Sequence, residues 1–161
     1  MSENILAFGV LAFGWLFVLS MFLASRMSVQ GSEDLVGLEH VMHKVTYNYP
    51  RPLAYVRFPG IEIPRSLAVL KEYPKLMQWM KHLCYDACLR HIEMPQIGIA
   101  SHIAHAYREH MIFPENEHVF VMLHELCVIL EKRLHTLSKH ERSPAYVYTM
   151  LDNLWMQILR S

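Results

Sequence analysis

Hydrophobic residues are not spread evenly along this chain. The stretch LAFGVLAFGW, residues 6 to 15, says LAFG twice and sits inside a longer apolar run, Ile5 to Ala24, with no charge between Glu3 and Arg26. The run is 20 residues long, and 12 of them are Ile, Leu, Val or Phe. As a helix it would span roughly 30 Å, the thickness of a bilayer's hydrocarbon core. Each large aliphatic or Phe residue favours insertion by roughly 0.3 to 0.6 kcal/mol, and no polar stripe interrupts the run. A signal peptide would need a basic stretch first, and the first basic residue is Arg26, after the run. The expectation is a retained transmembrane anchor over residues 1–26, marked by Ile5, Gly9, Gly14, Trp15, Ser20 and Ala24. Gly9 and Gly14 are five apart, not the four of a GxxxG face, so the small residues are scattered around the helix. Arg26 just past the run would place the rest of the chain on the cytosolic or matrix side.

Beyond the run the polar–apolar pattern is helical and is punctuated by prolines. Ser32 opens a helix in which Leu35, Leu38, Val41, Met42 and Val45 keep step. Residues 47–64, YNYPRPLAYVRFPGIEIP, hold four prolines, which exclude a continuous helix and predict an extended arm. Its aromatics, Tyr47, Tyr49, Tyr55 and Phe58, suit contact with a partner or with the chain's own helices. Pro74 opens a helix reaching about Ile92, with Met77, Met80, Cys84, Ala87 and Cys88 on one face. A helix follows with Ile99, Ile103 and Ala106 in step. The longest is expected from Glu115 to about Arg142, on Val119, Leu123, Leu126, Leu130, Leu134 and Leu137. Ser143-Pro144 caps the last, with Val147, Leu151, Leu154 and Ile158 on one stripe. No strand-like alternation of useful length occurs. The expected fold class is all-α: a single N-terminal transmembrane helix, then about five helices with a proline-rich extended arm. The divisions are 1–26 anchor, 27–65 short helix plus arm, and 66–161 helical domain.

Charge narrows the functional classes. Lys plus Arg is 15 and Asp plus Glu is 15, a formal net charge of zero. No basic excess or stripe points to nucleic acid. Zero net charge does little for the solubility of a free monomer, which favours a protein living in an assembly.

Three cysteines do not make a disulfide scaffold. HLCYDACLRH offers Cys84, Cys88 and His91 on one side of a helix, ligand types that suit zinc. Zinc signatures use C-x2-C pairs with a second pair at a distance, and closing this site would take His124 or Cys127 from the longest helix. HIAHAYREH puts His102 and His105 three apart and His105 and Glu109 four apart. PENEH carries one Glu115/His118 pair at di-iron spacing, where two such pairs are needed. Val128 stands where H-E-x-x-H would need its second histidine. No haem attachment, phosphate loop or nucleophile elbow is present. Buried thiols and rim histidines are the plainer reading, with no metal and no cofactor.

The sequence therefore predicts a non-enzymatic accessory subunit of a multi-subunit membrane complex. Its partners would be neighbouring subunits and the lipid bilayer. By analogy of architecture the mitochondrial inner membrane is expected, in the respiratory chain or ATP synthase. The alternatives are a single-pass adaptor of the secretory pathway, and a membrane-anchored metal or haem protein using Cys84, Cys88 and His91.

Overall fold

A computed structural model describes residues 32–43, 46–110 and 116–161. The described residues form helices joined by irregular segments and contain no strand. In chain order the α-helices are α1 (Ser32–Val41), α2 (Arg65–Ala68), α3 (Pro74–Glu93), α4 (Ile99–His110), α5 (Glu117–His135) and α6 (Pro144–Arg160). Short 3-10 turns follow α2 at Val69–Glu72 and α5 at Lys139–Glu141.

Local chemistry sets the helix starts. Pro74 and Pro144 stand in the first turn of α3 and α6, where a missing N–H loses no hydrogen bond. The Ser143 hydroxyl accepts from the Tyr146 N–H at 3.1 Å. Asn116 caps α5, its side chain accepting from the N–H groups of His118 and Val119. Helix α3 has no cap of its own at Tyr73. Glu39 of α1 reaches over instead, its two oxygens each 3.0 Å from the backbone N–H groups of Lys75 and Leu76. Tyr73 N–H donates to the Leu70 carbonyl, so every orphan donor at that helix end is satisfied.

Helix α3 is the centre of the packing. It lies against α4 and α6, while α4 and α2 lie against α5. The apolar stripes read from the sequence meet there: Leu76, Met80, Leu83, Cys84, Ala87 and Cys88 of α3 are fully buried, as are Leu123, Leu126 and Leu130 of α5 and Leu151, Leu154 and Ile158 of α6. Each such aliphatic side chain is worth about 1.5–3 kcal/mol for leaving water. Trp155 ties α6 to α3, its indole N–H donating to the Met77 carbonyl at 3.0 Å.

Two expectations are corrected. No helix among the described residues is long and apolar enough to cross a membrane. Helix α3 carries Lys75, Lys81, Asp86, Arg90 and Glu93, and α5 carries Glu117, Glu125, Glu131, Lys132 and Arg133. Helix α6 is 17 residues long, about 25 Å, short of a bilayer core. The run Ile5–Ala24, with Gly9, Gly14, Trp15 and Ser20, lies outside the described residues. The fold is all-helical without a membrane span among those residues. The single-pass anchor, the integral-membrane location and the mitochondrial inner-membrane assignment, respiratory chain and ATP synthase included, are therefore not upheld.

The second correction concerns α5. It ends at His135 and not near Arg142, so the 20-residue α3 is longer than the 19-residue α5. Thr136 turns its hydroxyl back on the Arg133 carbonyl at 2.8 Å. Ser138 and Glu141 then form a reciprocal capping box that starts a new turn. Leu137 is still buried, so the apolar spacing runs on past the end of the helix.

Candidate functional site

The arm anticipated at residues 47–64 is extended, and it lies on the body of the chain. Its backbone is pinned twice to α6: Leu53 N–H donates to the Thr149 hydroxyl and Ile61 N–H to the Gln157 side-chain oxygen, both at 2.8 Å. Arg133 of α5 donates to the Pro59 carbonyl at 3.0 Å and sets its guanidinium over the Phe58 ring. Phe58 meets Tyr146 edge-on. Tyr49 stacks on Tyr148 with centroids 4.6 Å apart and meets Tyr85 at a right angle. Tyr47 stacks on His82 of α3 at 4.0 Å and 12°. Three of the four aromatics singled out in the arm, Tyr47, Tyr49 and Phe58, thus lie on the chain's own helices. Tyr55 does not: it sits on a turn and is 81% exposed.

Beside the arm, α3 and α4 face each other across a polar network. His110 Nε2 lies 3.1 Å from Asp86 Oδ2. Arg90 bonds Glu109, stands 3.6 Å from Asp86, and donates to His105 Nδ1 at 2.9 Å. The His105–Glu109 pair noted in the sequence is brought into this network at 3.5 Å. Lys81 bonds Asp152 of α6 at 2.9 Å while lying over the Tyr148 ring. Asp86, Glu109 and His110 are a group whose ligand atoms come within 4.8 Å of one another. The sequence reading did not single out Asp86 or His110. Its only local sign was the four-residue spacing of Asp86 and Arg90, since the network needs two helices brought together. The resident cation is Arg90. A divalent ion would have to displace the guanidinium from both carboxylates, so the donor set fits an ion clamp between helices better than a metal site. The His110–Asp86 pair resembles a base with its orienting carboxylate, but His110 turns its ring edge to His82. Among the hydrogen bonds of the described residues it meets no hydroxyl or thiol nucleophile.

The cysteine candidates are elsewhere. Cys84 and Cys88 are fully buried and Cys127 nearly so, all as free thiols. Burial pushes the Cys84 and Cys88 thiols far up, and pushes Cys127 up to about 12. Neutral thiols in an apolar layer act as small hydrophobes and not as ligands. His91 donates from Nδ1 to the Ile97 carbonyl at 3.0 Å, and His102 from Nε2 to the Met94 carbonyl at 3.1 Å. Both brace the turn between α3 and α4. Burial lowers the His91 pKa, the bond to Ile97 opposing it. Glu115, half of the di-iron spacing with His118, lies outside the described residues.

Comparison with family models, curated proteins and solved structures finds no match to this chain.

Proposed function

We propose that the chain is a non-catalytic helical subunit of a larger protein assembly, and that its arm carries a contact for another chain. The observation that carries this reading is Tyr55, 81% exposed between two pinned points. Thr149 and Gln157, the two pins, are eight residues apart on α6, about 12 Å along a helix. The eight residue steps from Leu53 to Ile61 could reach more than twice as far. Within this stretch Phe58 returns to Tyr146 of α6, while Tyr55, on the turn before it, stays exposed. Held at both ends, the turn gives up little conformational freedom on docking, and tyrosine has only two side-chain torsions to fix. Exposed aromatics of this kind are the anchors on which protein contacts concentrate their energy. The acid–base side chains between α3 and α4 are engaged with one another, which supports a non-catalytic reading.

The test is the migration of the full chain, tagged and extracted under native conditions. It should run well above its 18.9 kDa mass. Tyr55→Ala should release it, with an affinity loss of roughly 30-fold for a 2 kcal/mol anchor and an unchanged melting temperature. Migration of the wild type alone, or of Tyr55→Ala with the assembly as before, refutes the proposal.

A further inference from the structure

His82 of α3 lies under the arm. Its ring lies against Tyr47, with Tyr49 at 6.1 Å and the His110 ring edge-on at 5.1 Å. Its Nδ1 is buried and has no hydrogen-bond partner. The Tyr49 hydroxyl is also buried, and it makes no hydrogen bond to His82. A neutral imidazole can leave Nδ1 as a bare lone pair at modest cost. An imidazolium carries N–H on both nitrogens, and here one would point where neither protein nor solvent accepts it.

We propose that residues 46–52 form a proton-sensitive latch, seated on neutral His82 and released when that imidazole takes a second proton. The groups around His82 bear this out. From the arm come the phenols Tyr47 and Tyr49, neither an anion near neutrality. From α4 comes His110, already bonded to Asp86. On α3 itself, Asp86 is shared between His110 and Arg90, and the neighbouring Lys81 is turned to Tyr148 and Asp152 of α6. Among the described residues Asp86 is the carboxylate that acts on His82, and it is committed, so a second proton on His82 finds no new counter-charge there. Burial lowers the His82 pKa first, and His110 adds to this against a smaller opposing pull from Asp86. With the arm lifted, Nδ1 meets water and the imidazole returns towards the ordinary value of about 6.5. Proton uptake therefore favours the lifted arm. Each unit of difference between the two states raises its population by up to about tenfold as pH falls below 6.5. The latch stands whether or not Tyr55 docks on a partner.

The experiment is nuclear magnetic resonance of the full chain with labelled histidine and tyrosine rings, titrated from about pH 8 to about pH 5. The Tyr47 ring signal should move with the same midpoint as His82, below 6.5. In His82→Phe, which keeps the stack and cannot take a proton, Tyr47 should stay seated throughout. In Tyr47→Ala the His82 midpoint should rise towards 6.5. A Tyr47 signal that stays flat while His82 titrates overturns the latch, as does an acid transition that persists in His82→Phe. Should His82→Phe fail to fold, Tyr47→Ala decides: an unchanged His82 midpoint overturns the proposal.

Discussion

Removing the carboxylate of Glu39 should loosen α3 at its first turn. In an ordinary helix the cap comes from the residue before the first turn, and its loss costs about 0.5–2 kcal/mol. Here both free donors, the Lys75 and Leu76 N–H groups, are served by one side chain 36 residues or more away in sequence. A full negative charge at a helix N-terminus adds about 0.3–1 kcal/mol. Glu39→Ala should therefore cost about 2 kcal/mol. Alanine is also the better helix former, so any propensity change within α1 works in the opposite direction. Glu39→Gln keeps one acceptor oxygen and loses the charge, and should cost about half as much. For a chain of this size 2 kcal/mol lowers the melting temperature by roughly 4–8 °C. The assay is thermal and urea unfolding followed by circular dichroism at neutral pH. An alanine variant within about 0.5 kcal/mol of wild type would show that water caps α3 equally well. Equal losses in Ala and Gln would show that the acceptor geometry contributes nothing. Either result would refute the reasoning.

Three further outcomes are expected. Cys84 and Cys88 should react with a thiol reagent at about pH 8 only as fast as the chain opens, and all three thiols at once in denaturant; rapid labelling of the folded chain would contradict their burial. Leu130→Ala, at a fully buried position of α5, should cost about 2–5 kcal/mol in urea unfolding, whereas Tyr55→Ala should change stability by less than about 0.5 kcal/mol. Stability should fall in acid, because His82 and His91 both have folded pKa values held below the ordinary 6.5 by burial. The unfolded chain then binds protons first as pH drops through 6.5, and stability is lost down to the lowered values. A urea midpoint that rises in acid, or that falls as steeply in a His82→Phe, His91→Gln double variant, would contradict this.

Much of the fold is legible in local signals. Pro74, Ser143 and Pro144 mark helix starts whose geometry depends on neighbours within a turn, and the prolines of 47–64 rule out a helix there whatever surrounds them. The end of α5 is not legible in this way. The buried Leu134 and Leu137 keep helical spacing across it, and the break lies in the side-chain bonds of Thr136, Ser138 and Glu141. The Glu39 cap and the Asp86–Arg90–Glu109–His110 network are invisible for a different reason: each joins helices whose pairing the sequence pattern does not state. The tyrosines of the arm could be recognised as contact residues. That Tyr47, Tyr49 and Phe58 turn inward and Tyr55 outward depends on where α3 and α6 lie.

The arm's attachment to α6 also fixes an order of events during synthesis. Leu53 and Ile61 are made long before Thr149 and Gln157, the residues that hold them, each pair 96 positions apart. At about 5–20 residues per second the arm waits on the order of 5–20 s for its anchors. Until α6 emerges from the ribosome, the Leu53 and Ile61 backbone donors have no acceptor. Helix α6 therefore acts as a closing clasp on a segment translated 96 residues earlier. A chain arrested before it would leave Tyr49 without Tyr148 and Phe58 without Tyr146.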